Sequence, residues 1–155
     1  MNPGQMYIAD IIFCQNAFPD QHGSITIQGP LPGYLVLPQV PSRKHPVTYS
    51  FQMVMTFYAK EEMPETEVKF TVTSQSGMVI VNNSWNLGRD TTRQEHVTKN
   101  TDGLLSGGIN LDLRNFPFIE LGEYRFRVET PHQSVEKSLY VTAVLVDDAD
   151  TTSAE

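Results

Sequence analysis

The chain has 155 residues, with Lys and Arg totalling 11 against 18 Asp and Glu, a formal net charge of −7, 39% hydrophobic residues and one cysteine. That length suits a single domain and is enough to bury roughly two-thirds of the unfolded surface without a disulfide or a metal. The composition excludes a disulfide scaffold, a collagen-like chain, a membrane span and a generic basic nucleic-acid binder.

From the start of the chain, Tyr7 to Cys14 forms an apolar run broken by Asp10. It is too short for a bilayer, which needs about 20 apolar residues. No Lys or Arg precedes Arg43, so the positive segment of a secretory leader is missing and a reducing cytoplasmic compartment is the expectation. Cys14 has no possible intramolecular partner and reads as a buried small hydrophobe rather than a reactive thiol. Pro19-Asp20-Gln21-His22-Gly23 then separates the first strand from a second, in which Ile25 and Ile27 alternate with Ser24, Thr26 and Gln28.

Gly29 to Pro46 holds Pro30, Pro32, Pro38, Pro41 and Pro46, half of the ten prolines. Proline cannot donate to a sheet ladder, so this stretch reads as a crossover or an interrupted edge strand. Within it, Pro38-Gln39-Val40-Pro41-Ser42-Arg43 has the spacing of a polyproline ligand. The aliphatic Leu35, Val36, Leu37 and Val40 favour wrapping of the sandwich edge instead.

Beyond Pro46 the dominant signal is period-two alternation, with no helical stripe. Val68, Phe70 and Val72 alternate with Glu67, Lys69, Thr71 and Thr73. The same holds for Ile109, Leu111 and Leu113, and for Tyr124, Phe126 and Val128 between Arg125, Arg127 and Glu129. Each has one face for a core and one for water. Val47–Lys60, Met78–Trp85 and Ser138–Val146 are apolar at both parities and read as central strands or strands covered on both faces. Ser74-Gln75-Ser76-Gly77, Leu121-Gly122-Glu123 and Pro131-His132-Gln133 supply turns, giving about eight or nine strands. The sixteen residues from Gly88 to Gly103 read as a long loop, functional or mobile. Four of the excess negative charges lie in residues 147–155, a predicted disordered acidic tail on a domain spanning 1–146.

Chemistry-bearing patterns are sparse. His22, His45, His96 and His132 lack zinc-site spacing, so no metal is expected. Gly-x-Ser-x-Gly is absent. Ser106-Gly107-Gly108 lacks the context of a phosphate loop and reads as a β-bulge or a strand entry. No cofactor and no enzymatic activity are therefore expected. The candidate binding residues are Trp85, which could stack on a sugar or anchor an interface, and the basic residues Arg89 and Arg93 of the 88–103 segment. Arg125 and Arg127 share an outward face and, with Arg114 on a possible neighbouring strand, would make a basic stripe unless Glu129 or Asp112 neutralises it.

Two stretches carry a resemblance. The opening, Ala9-Asp10-Ile11-Ile12-Phe13-Cys14-Gln15-Asn16 with Gly23-Ser24-Ile25-Thr26-Ile27-Gln28-Gly29, is similar to a family of small bacterial β-proteins of unknown function. In that family an apolar strand ending in Cys is followed by a Gly-Lys-x-Ser-x-x-Gly hairpin arm; here the Lys and the spacing differ. Leu121-Gly122-Glu123-Tyr124-Arg125-Phe126-Arg127-Val128 resembles the Gly-Glu-Tyr-x-Phe-x-Val strand of that family and of many immunoglobulin-like sandwiches. In such sandwiches a Tyr after a Gly turn bonds its hydroxyl to nearby backbone. The resemblance covers residues 6–146 and implies a fold; it supplies no site residues.

Together these readings predict an antiparallel β-sandwich with immunoglobulin-like or related Greek-key topology. Its core should draw on Ile8, Ile12, Ile27, Phe51, Met53, Val68, Phe70, Val72, Ile80, Leu111, Tyr124, Phe126, Val128, Leu139 and Val141. The leading functional expectation is a non-catalytic module that binds a protein partner or itself through a sheet edge or the 88–103 segment. One alternative is a small-ligand or carbohydrate module with Trp85 and Tyr34 as stacking residues; another is a hydrolase with an irregular site. No nucleic acid or membrane partner is expected.

Overall fold

A computed structural model describes residues 5–19, 25–60, 65–87, 95–99 and 103–145. These form ten strands and no helix: β1 (Met6–Pro19), β2 (Ile25–Pro30), β3 (Tyr34–Leu37), β4 (Val47–Lys60), β5 (Thr66–Thr73), β6 (Val79–Leu87), β7 (Glu95–Lys99), β8 (Leu104–Phe118), β9 (Gly122–Thr130) and β10 (Gln133–Ala143). One sheet runs β2-β1-β4-β8-β7, the other β3-β10-β9-β5-β6. All pairings are antiparallel except β3 with β10, which is parallel. The expected sandwich is thus present. The two strands hardest to read from sequence are β3, inside the proline-rich connection, and β7, inside the segment taken as loop.

The alternating strands build the core as their pattern requires. Val68, Phe70, Val72, Tyr124, Phe126 and Val128 are all buried. Phe126 sits at the centre of the aromatic packing, with ring centroids 4.7 Å from Phe13, 5.8 Å from Phe116, 6.1 Å from Phe51 and 6.3 Å from Phe70. Offset and edge-on contacts of this kind add about 0.5–1.5 kcal/mol per pair beyond area burial.

Two expectations fail, one at a bulge and one where no bulge forms. In β1 the pairing with β4 slips between Ile8 and Asp10, so the inward parity changes from even to odd. Ile8, Ile11 and Phe13 point into the main core, while Ile12 does not. The reason is local: one extra residue in a strand reverses every side chain beyond it. Conversely, Ser106-Gly107-Gly108 is neither a bulge nor a strand entry. It pairs in regular register with β4 on one side and β7 on the other.

Gly108 has a different use. A Cβ there would lie 2.4 Å from Ile25 Cδ1, so the bare backbone makes room for a side chain arriving from β2, three strands away in the sheet order. The β1–β2 hairpin therefore curls over the outer face of its own sheet. Asn110 Nδ2 of β8 donates to the Ala17 carbonyl (3.0 Å) and to Gln52 Oε1 (3.1 Å), which also accepts the Ala17 N–H (2.6 Å). Beneath this arm Cys14, Ala17 and Val54 form a second small core with Ile12, Ile25 and Ile27. Ile27 and Ile12, expected in the main core, belong here. Burial pushes the Cys14 thiol above its usual range, as expected of a thiol used as a hydrophobe.

The corner before β9 is closed by Tyr124, which is fully buried. Its hydroxyl donates to the Glu120 carbonyl (2.9 Å) and accepts from the N–H groups of Ile119 (3.0 Å) and Glu120 (3.2 Å). Gly122 takes φ +116°, where a side chain would be strained and would meet Gln75. Glu120 in turn accepts from Ser76 N–H (2.8 Å) and Ser76 Oγ (2.7 Å), which ties this corner to the β5–β6 turn.

Candidate functional site

Of the two readings of Arg114, Arg125 and Arg127, the structure shows neutralisation by Asp112 and Glu129 and not a basic stripe. Arg114 lies on β8, in the opposite sheet from Arg125 and Arg127 on β9. Each is paired along its own strand: Arg114 with Asp112 (2.6 Å), Arg125 with Glu123 (2.8 Å) and Arg127 with Glu129 (2.9 Å). The Arg125 hydrogen bond, then that of Ser138, holds the Glu123 carboxyl below its usual range. A shallow polar hollow of about 220 Å³ lies among Thr71, Thr73, Gln75, Arg125, Arg127 and Glu136. Its two arginines are already matched to carboxylates, so it offers no free cation to an anionic ligand.

Trp85 is half-buried and packs edge-on against Phe70, with centroids 6.5 Å apart. Tyr34 is 56% exposed on β3, at the far edge of the same sheet. The two proposed stacking residues therefore share no platform. Tyr34 instead stands beside Tyr140 of β10, its partner in the parallel register, and Tyr140 is 57% exposed. The Ser138–Ala143 stretch is accordingly open on its outer face, but it lies between β3 and β9 as one of the central strands expected there. Arg89 and Arg93 lie outside the described residues, as do His22 and residues 146–155. His45 and His132 are exposed at turns, and among the described residues no group of His, Cys, Asp or Glu could hold a metal. Nor is any helix among them long and apolar enough to cross a membrane. The polyproline match is folded into the body: Pro41 is buried, and Ser42 N–H donates to the His45 carbonyl (3.1 Å) while Ser42 Oγ accepts from His45 N–H (3.0 Å).

The sheet edges differ sharply. β3 spans only four residues, between Pro32 and Pro38. β2 ends at Pro30, β7 carries Glu95 and Lys99, and the half of β10 not paired with β3 carries Glu136 and Lys137. Moreover Lys137 Nζ donates to the Ile11 carbonyl (2.6 Å), and the Gln133 amide brackets the Ile8 N–H (2.7 Å) and carbonyl (2.9 Å). Those contacts stitch β10 to β1. Short strands, prolines and charges are the usual guards against unwanted edge pairing.

β6 has none of them. Its apolar residues at both parities suggest a central strand or one covered on both faces, yet it ends its sheet, and among the described residues no strand pairs with its outer side. The nineteen residues from Phe70 to Gly88 contain no charge and no proline. Along this edge Asn82, Asn83, Ser84 and Asn86 are exposed, as is Val79 at 58%. From Val81 to Leu87 the pairing with β5 is regular, Val81 opposite Val72 through Leu87 opposite Thr66. Alternate N–H and C=O groups of such a strand point away from its sheet and can take up another strand. The charge-free run was legible in the sequence; its position at an edge was not.

Compared with known proteins, the chain matches no family model and no curated relative.

Proposed function

We propose that this chain is a non-catalytic binding module of immunoglobulin-like topology that takes a partner strand onto the edge of β6. The observation that carries the reading is the unguarded edge: seven regularly paired residues, without charge or proline, beside edges that are each short, charged or stitched closed. Support for the topology comes from the hydroxyl-closed corner at Tyr124 and from a short early strand, β3, running parallel to the last one. The polar outer side of β6 suits regulated association better than irreversible aggregation, because Asn82, Ser84 and Asn86 hydrogen-bond to water when the edge is empty.

The test is a photo-crosslinking side chain placed at position 84, with a second variant bearing it at Thr142 on the outer face of β10. A protein adduct formed from position 84 and absent from position 142 is the expected result. No adduct from position 84, in cells or with purified chain, would overturn the edge reading.

A further inference from the structure

Taking β6 as the binding edge, we infer that its occupant is a second copy of this chain, paired antiparallel about a two-fold axis at Ser84. The inference rests on the edge reading above and adds the identity and register of the partner.

Three observations lead to it. The first is the pattern of β6 itself. In an antiparallel pair, residues directly opposite one another project to the same face. Val81, Asn83, Trp85 and Leu87 lie opposite the core-side residues Val72, Phe70, Val68 and Thr66 of β5, whereas Asn82, Ser84 and Asn86 lie opposite the outer-side Thr71, Lys69 and Glu67. Folding β6 back on a copy of itself about Ser84 sets Val81 against Leu87 and Asn82 against Asn86. Asn83 then faces Trp85, and Ser84 faces its own copy. Aliphatic residues meet at both ends, amides meet on the outer face, and the indole N–H of Trp85 has an Asn83 carbonyl oxygen as an acceptor.

The second observation is where regularity stops. The β5–β6 register shifts between Val72 and Thr73, which leaves Ile80 as the extra residue and ends the flat edge at Val81. Only a two-fold at Ser84 uses all seven residues from Val81 to Leu87. A two-fold at Asn83 would run its outer pairs into the bulge.

The third is charge. Two chains of net charge −7 repel through most of their surfaces. Among the described residues, the nearest charges across this edge are Lys69 and Glu67, one strand back in each copy. At about 4.8 Å per strand, equivalent residues of the two β5 strands stand about 14 Å apart, beyond the Debye length of about 8 Å at physiological salt. Self-association of the described residues is thus free of close like-charge contacts here.

The product is a continuous ten-stranded sheet across two sandwiches. Strand-to-strand contact of this length is small beside a standard interface, so the dimer should form in a concentration-dependent manner.

The experiment uses purified full-length chain. Ser84→Cys under mild oxidation should give a disulfide-linked dimer mapped to position 84 in both chains; fully buried Cys14 does not compete. Light scattering of the unmodified chain should show the mass rising toward twice the monomer with concentration. Asn86→Lys, a gatekeeper on the exposed face, should raise the dissociation constant at least tenfold while circular dichroism stays unchanged. A monomer at every concentration, or a disulfide that forms at Asn83→Cys and not at Ser84→Cys, would overturn the inference. If the photo-crosslinker at position 84 still captures a different protein, self-pairing fails while the edge reading stands; if it captures nothing, both fail.

Discussion

Tyr124→Phe removes one oxygen atom and leaves the ring in place, so it isolates the corner hydrogen bonds from the packing. The ring remains edge-on to Phe118, with centroids 5.1 Å apart. What disappears is a hydroxyl with three partners, at 2.9, 3.0 and 3.2 Å, in a side chain with no solvent exposure. Each buried polar group left without a partner costs about 1–3 kcal/mol. Ile119 and Glu120 are only half-buried, so water recovers part of that loss at the three orphaned backbone groups. A net destabilisation of about 2 kcal/mol follows. Urea denaturation followed by tryptophan fluorescence is the direct assay. With a slope of about 2 kcal/mol per molar urea, the midpoint should fall by about 1 M with the slope unchanged. Burial also pushes the Tyr124 hydroxyl above its usual range, so the wild-type difference should hold through neutral and mildly alkaline pH. A midpoint within about 0.2 M of wild type would refute the assignment of this hydroxyl as the corner's closure.

Three further outcomes follow from the arm, the thiol and the corner. Gly108→Ala should destabilise by about 1–2 kcal/mol because its Cβ displaces Ile25 Cδ1, and Ile25→Val should relieve it; strict additivity in a double-mutant cycle would argue against contact between arm and sheet. Cys14 should resist a thiol reagent in the native protein and react only as fast as the arm opens or the chain unfolds, whereas rapid stoichiometric labelling under native conditions would contradict its burial. Hydrogen bonds from Ser74 and Ser76 hold the Glu120 carboxyl below its usual range, so its contribution to stability is present above the unfolded value near about pH 4.3 and is lost as pH falls through the lower folded value. The stability gap between wild type and Glu120→Gln should therefore close on acidification; a gap independent of pH would remove the carboxylate from the corner.

The strands that were easiest to read are those whose alternation is uninterrupted. Val68, Phe70 and Val72, and Tyr124, Phe126 and Val128, could be placed inward from the sequence because period two is a property of the backbone itself. Ile12 was misplaced for the same reason, since the rule carries no warning of the extra residue at the Ile8–Asp10 slip. Apolar residues at both parities proved ambiguous. In β4 they mark a central strand whose outer Val54 lies under the hairpin arm; in β10 they leave Tyr140 exposed; in β6 they mark an edge. The candidate site was legible as composition only. The 70–88 stretch lacks charge and proline on inspection, but Arg125 and Arg127, which looked more promising, are matched by the carboxylates two residues away.

The amino-acid sequence on its own determined the all-β class, most of the core and the corner tyrosine, because alternation and turn chemistry act within a few residues. Tertiary structure decided which strand lies at an edge, which outer face the β1–β2 arm covers, and that β3 joins β10 in parallel across a hundred residues of chain. Those outcomes depend on pairing between distant segments. A strand's own sequence specifies what it can bury, whereas its neighbours decide whether its remaining hydrogen bonds are filled or, as at β6, left available.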